Sequence, residues 1–187
     1  MRLDPLPRDR LAPEQQRLDQ AMRAGIRAHL QGFISERADG ALIGPFAPML
    51  HFPEYGKPLW DVITALSQHT TLPKPAHEVA ILVTGACFRS RYEIYAHEHV
   101  AERSGLSAQK IATIVAGNRP GDLTPVEAAA YDVAACLSRG AQLPEATYKV
   151  AQEAFGEHGV AELVYLVGTY CLVSVLLNAY DVPVPGR

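Results

Sequence analysis

Apolar residues recur along this chain three and four positions apart, the period of an amphipathic helix, and no stretch alternates convincingly as a strand does. Leu18, Met22, Ile26 and Leu30 repeat every fourth position and predict a helix over residues 13–31, with Pro13 suited to its first turn. Gly44-Pro45-Phe46 opens a short helical turn through Leu50, and Pro53 begins a helix to about residue 69 carrying Leu59, Trp60, Ile63 and Leu66. Val79, Leu82, Val83 and Cys87 mark a helix over 75–88. Ile94, Val100 and Ala101 mark the next, over 90–104, with Ser90 and Glu93 spaced as a capping box and Gly105 just beyond its end. Ser107 caps a short helix ending at Gly117. Thr124-Pro125-Val126-Glu127 is a second capping box, whose helix runs to Gly140. Two more helices, 144–155 and 159–180, are separated by Gly156, and the VPVPGR tail cannot continue the last. Residues 1–12 read as extended and 32–44 as a connector turning at Gly40. The expectation is an all-α bundle of about eight helices. It forms one domain over residues 1–187, with an N-terminal extension and helix in 1–43 and a core in 44–187.

Composition narrows the partners. The 187 residues are 48% hydrophobic and 20% charged, which suits a globular chain with a sizeable core. A net charge of −3 and the absence of a basic block disfavour nucleic acid as a partner. No apolar h-region follows the N-terminus, so a secretory signal is not expected and the chain reads as cytoplasmic. The apolar run 160–179 contains Glu162, Gly168, Thr169, Ser174 and Asn178, which suits a core or interface helix better than a membrane span. That helix is apolar nearly all round, more than one core face requires, so a homo-oligomer is expected. Cys87, Cys136 and Cys171 sit in apolar helical contexts and form no C-x-x-C, so they read as buried free thiols in a reducing compartment.

The candidate chemistry is concentrated between His77 and Glu102. Glu93 and His97 are four apart and share one helix face, whereas His99 points nearly opposite, which argues against a His97–His99 chelate. If the two helices of this stretch form a hairpin, Glu78, Glu93 and His97 can meet between them. A histidine beside a carboxylate is oriented and held near neutral pKa, as a general acid or base must be. Glu78 would then set the His97 tautomer or relay its proton, and a partly buried Glu93 would trade protons with substrate. The plainer readings remain open: Glu93 as the third residue of a capping box, Glu78 as a first-turn carboxylate on the helix dipole, and His97 as a core histidine. Tyr92, Phe46, His51, Arg91 and Tyr170 are the candidate substrate-binding residues. Phe46 and His51 would stand at the mouth if the 44–50 turn folds over the hairpin, Tyr170 would be a pocket donor or an interface hydrogen bond, and Arg89 or Arg91 would be the nearest cation for a carboxylate. His77 and Glu78 diverge on their helix and no HExxH is present, so no metal site is expected, nor any cofactor.

The run from Glu78 through Tyr92-Glu93-Ile94-Tyr95-Ala96-His97 resembles the carboxymuconolactone decarboxylase-like family, which includes the alkylhydroperoxidase D proteins. The peroxidases of that family carry a Glu and then C-x-x-C-x-x-x-H. Glu78 and His97 match its Glu and His, while Ser90 and Glu93 stand at the two cysteine positions. The resemblance extends from about Gly44 onward, through residues 105–117 and the late helix around Gly168-Thr169-Tyr170. It implies an alkylhydroperoxidase D-like helical fold, assembly as a trimer or a multiple of one (a dimer being the alternative), and the decarboxylase-like branch. On that reading the chain is a cofactor-free lyase acting on a small carboxylated or lactone substrate, with Glu93 or His97 delivering the proton. The alternatives are a thiol peroxidase, which the missing cysteine pair opposes, and a non-catalytic small-molecule binding protein.

Overall fold

Helices account for nearly all the regular structure in the computed structural model, which describes residues 1–30 and 32–186; among these are eight α-helices, and the only bridge is an isolated antiparallel one, Glu36–Leu42. They are α1 Pro13–His29, α2 Phe46–His51, α3 Pro53–Gln68, α4 Lys74–Phe88, α5 Arg91–Arg103, α6 Ala108–Val115, α7 Pro125–Leu137 and α8 Glu145–Ala179. The ends follow local chemistry. Thr124 accepts from the Glu127 N–H while the Glu127 carboxylate accepts from the Thr124 N–H, closing the capping box at α7. Ser107 accepts from the Lys110 N–H at α6. The 35-residue α8 is two helices abutting at Gly156, whose φ of 70° and ψ of 176° leave the helical region there. This is the interruption expected from the glycine.

Two expectations need correcting. The N-terminal segment is not wholly extended, because the Pro7 carbonyl accepts the Arg10 N–H and closes a single 3-10 turn over Arg8–Arg10. The capping box at the start of α5 does not form: the Ser90 hydroxyl caps nothing. The Ser90 N–H already donates to the Gly85 carbonyl at 2.9 Å, so the Glu93 carboxylate is not required there and turns inward.

α4 is the axis of the bundle. Its residues Ala76 to Gly85 are all buried, not one face of them alone, because α5, α6, α7 and α8 surround it. One core, built on Val79, Leu82, Ile111, Val133, Leu163 and Leu166, joins α4, α6, α7 and α8. A second, built on Met22, Phe46, Leu50, Trp60 and Leu177, joins α1, α2, α3 and the end of α8. α5 lies between the two. It gives Ala101 to the first core and Tyr92 and Ala96 to the second, which leaves Glu93 and His97 at the boundary. The loop before α2 closes over α5 at Gly44, whose φ is 73° and where a Cβ would collide with the Tyr92 ring. α8 is apolar and long enough to cross a membrane by length and composition, yet it packs one side on α4 and α7.

Candidate acid–base site

His97 holds the centre of the site. Its Nδ1 lies 2.8 Å from Glu78 Oε2 and its Nε2 lies 3.2 Å from Glu93 Oε1. The second contact is within ion-pair range but is not aligned as a hydrogen bond, and Glu93 Oε1 has no hydrogen-bond partner among the described residues. All three side chains are buried, with Glu78 0% exposed. The geometry follows from two helix periods. Glu93 and His97 are one turn apart on α5, and Glu78 comes from the adjoining α4, so a single imidazole bridges two carboxylates across the helix pair. The hairpin foreseen in the sequence therefore brings these three together.

Their electrostatics are asymmetric. Burial pushes the Glu78 carboxyl up, but the charges and hydrogen bonds of His97 and His77, with Lys74 beyond, together hold it well below its ordinary value. Glu93 is pushed up to about 7, first by burial and then by the Glu78 charge, with His97 offsetting only part. Burial favours neutral His97, but the two carboxylates outweigh it and raise its pKa. The environment thus favours the ionised form of Glu78 and the charged form of His97 more than their ordinary values would, while Glu93 holds its proton up to about neutral pH. Two carboxylates in one site with different affinities for a proton are what assigns an acid and an orienting base.

Glu93 and His97 line a cavity of about 30 Å³, walled by Phe33, Phe46, Trp60, Tyr92 and Tyr170. The Tyr170 ring meets His97 edge-on at 5.2 Å, and its hydroxyl is raised well above its ordinary pKa by burial and then by the two glutamates, so it stays a proton donor. The Tyr92 hydroxyl donates to the Ile34 carbonyl at 2.8 Å, and burial likewise raises its pKa. Phe46, Tyr92 and Tyr170 are thus at the cavity, but two other candidates are not. His51 Nε2 sits 2.8 Å from the Asp4 carbonyl, and Arg91 is exposed and paired with Asp181 at 3.3 Å. Arg91 precedes Glu93 by two residues and so lies on another face of α5. Arg89, the other proposed cation, does not line this cavity either. Lys74 is the residue that sequence reading passed over. Its Nζ is 2.9 Å from Glu78 Oε1 and its side chain is 51% exposed, linking the buried carboxylate to solvent. The i, i+4 spacing of Lys74 and Glu78 was a readable signal. The aromatic wall had no such signal, since Phe33 and Trp60 come from separate segments. Among the described residues no group of three or more His, Cys, Asp or Glu is placed to hold a metal ion, and the two His97 nitrogens face different carboxylates.

No protein-family model matches the chain, and a search of curated proteins finds no match. Solved structures do match. The alkylhydroperoxidase AhpD core of an uncharacterised peroxidase-related protein from Ralstonia eutropha JMP134 is 13% identical with a TM-score of 0.78, covering 99% of this chain and 92% of that one. A variant of the debrominase Bmp8 in complex with 2,3,4-tribromopyrrole is 14% identical with a TM-score of 0.76, covering 100% of this chain and 92% of that one. A protein of unknown function from Agrobacterium tumefaciens, ATU0492, is 13% identical with a TM-score of 0.65, covering 75% of this chain and 97% of that one. Likeness of this extent at such low identity is a likeness of architecture, and the chain has the alkylhydroperoxidase D-like helical fold.

Proposed function

We propose that this chain is a cofactor-independent enzyme of the lyase type, acting by general acid–base catalysis on a small conjugated carboxylated or lactone substrate. The observation that carries the reading is the buried Glu78–His97–Glu93 chain, closed at one end by Lys74 and open at the other to the cavity. Glu93 protonates a carbon of the conjugated system. The electron pair of the adjacent carbon–carboxylate bond then moves into that system, and carbon dioxide leaves. The proton has replaced the carboxyl group, and Glu93, now ionised, faces the His97 imidazolium, which can return a proton to it. His97 is also the cation at the cavity that a substrate carboxylate would meet. Tyr170 stands as a further donor. The cavity as folded has room for about one water molecule, so a substrate enters only as the wall opens. That a protein of this fold is seen with 2,3,4-tribromopyrrole supports a small conjugated ring as the substrate class. Thiol peroxidase chemistry is disfavoured, because Ser90 and Glu93 occupy the cysteine positions and none of the described residues lining the cavity is a cysteine.

The test is turnover of conjugated lactone acids, followed as carbon dioxide release against pH, with the variants Glu93→Gln, His97→Ala and Glu78→Ala. A positioned proton-transfer group contributes roughly two to four orders of magnitude in rate, and losses of that size are expected with folding intact. A ligand that binds at the cavity in every variant and is never converted would instead make this a binding protein. Peroxide turnover dependent on a thiol reductant, lost on replacing Cys87, Cys136 or Cys171, would overturn the reading in favour of a peroxidase.

A further inference from the structure

A second cavity, of about 360 Å³, opens where the C-terminal ends of α4, α6 and α7 converge, and shares no residue with the acid–base site. Its size is that of a small-molecule pocket. The lining carries three kinds of chemistry. Arg89 and Arg139, just past the ends of α4 and α7, border it, and neither makes an ion pair among the described residues. Val115 and Ala116 bring the end of α6, where the last carbonyls of a helix lack intrahelical donors. Cys87 completes it, with its Sγ 3.6 Å from the Ser138 carbonyl; the expectation of three buried thiols is corrected here, because Cys87 stands in the last turn of α4 and is exposed, and Cys136 and Cys171 are only half-buried. Ser138 also lines the cavity; it is 7% exposed, and its Oγ has no hydrogen-bond partner among the described residues.

A ligand complementary to this lining has carboxylates for two guanidinium forks, N–H groups for helix-end carbonyls, and a sulfur for the thiol. We propose that the cavity is a thiol–disulfide exchange site at Cys87 for a low-molecular-weight peptide disulfide bearing carboxylates. The step balances. The Cys87 thiol gives its proton to solvent, and the thiolate attacks one sulfur of the ligand disulfide. A bond forms between Cys87 and that sulfur, the ligand's own S–S bond breaks, and the other half leaves as a thiolate that takes up a proton. Cys87 is oxidised and the leaving sulfur reduced, so no further oxidant is required. The other two cysteines are poorer targets. Neither Cys136 nor Cys171 is among the described residues that line the cavity, and burial, with the Cys87 charge added, pushes the Cys171 thiol up. The arginines work at long range as well as in contact, since a cationic rim raises the encounter rate of an anion.

The experiment is modification of the full chain by glutathione disulfide against the neutral 2-hydroxyethyl disulfide, with the adduct located by peptide mass mapping. The expected result is a single mixed disulfide, on Cys87, formed about tenfold or more faster from the anionic disulfide after correction for each reagent's intrinsic reactivity towards a free thiol. The preference should shrink with added salt and fall to near parity in an Arg89→Met, Arg139→Met variant. Equal rates from the two disulfides in the unaltered protein, a first adduct on Cys136 or Cys171, or a preference that survives loss of both arginines in a folded variant would each overturn the proposal. The comparison in the unaltered protein decides the matter if that variant does not fold. Lyase activity is not read at any step, so this outcome and that of the acid–base reading are independent.

Discussion

The Glu93 carboxyl carries a stability signature that can be read without any substrate. Its folded pKa is about 7 against an ordinary 4.5. Below about 4.5 both folded and unfolded chains hold the proton. Between there and about 7 the folded chain holds it and the unfolded chain does not. Stability from this group is therefore full below the lower value and is lost as pH rises to the upper one, by a few kcal/mol at most. Glu78 runs the other way: its folded pKa is depressed, so its contribution is present above 4.5 and lost as pH falls below it. Glu93→Gln keeps the shape and removes the titrating proton. The expected outcome in urea melts across this range is that the variant loses the decline between about 4.5 and 7 and exceeds the parent above it. A decline of unchanged size in the variant would mean that Glu93 does not hold the proton. At this scale the sequence showed which residue types could meet, but whether Glu93 caps its helix or turns inward was left to a neighbour. The Gly85 carbonyl takes the Ser90 N–H and frees the carboxylate.

The helix starts make a matched pair of tests. Thr124 and Ser90 both stand three residues before a glutamate, and both read as capping boxes in the sequence. Only the first is one. Thr124→Ala should cost about 1 kcal/mol through loss of the cap at α7. Ser90→Ala should cost clearly less, because the Ser90 hydroxyl is 0% exposed and has no hydrogen-bond partner among the described residues, and removing an unsatisfied buried polar group can be neutral or stabilising. Thermal melts of the two variants side by side check this, and a larger loss for Ser90→Ala would show that its hydroxyl is bonded after all. Most helix ends were legible because proline, glycine and hydroxyl residues act locally. What was not legible was which helices surround α4, since a helix apolar on nearly every side reads as buried but has no single face to assign to a neighbour.

Over the whole molecule, α8 leaves an apolar outer face. Val164, Tyr165, Leu172 and Val175 are 45%, 68%, 48% and 48% exposed, and their spacing puts them along one side of the helix beyond Gly156. Scattered exposed apolar residues are ordinary, but a continuous stripe on one helix marks a contact surface. A homo-oligomer through this face is the expected state, and multi-angle light scattering at micromolar concentration should show more than one chain per particle. Tyr165→Glu with Leu172→Glu should shift it toward the monomer while leaving helix content intact. A monomeric parent protein would remove the claim.

Periodicity and end-capping residues act over one or two turns, so the helical class, most of the helix boundaries and the interruption at Gly156 were legible in the chain. The sequence also placed Glu93 and His97 on one face of one helix, a matter of spacing alone. Tertiary structure decided everything that depends on which surfaces meet. It carried Glu78 from α4 to within 2.8 Å of His97, attached Lys74 to that carboxylate, and walled the cavity with Phe33 and Trp60 from distant segments. It turned Arg91 out to Asp181 and His51 out to Asp4. A side chain's partners across a helix pair depend on the packing and rotation of both helices, and no local pattern in the chain records either.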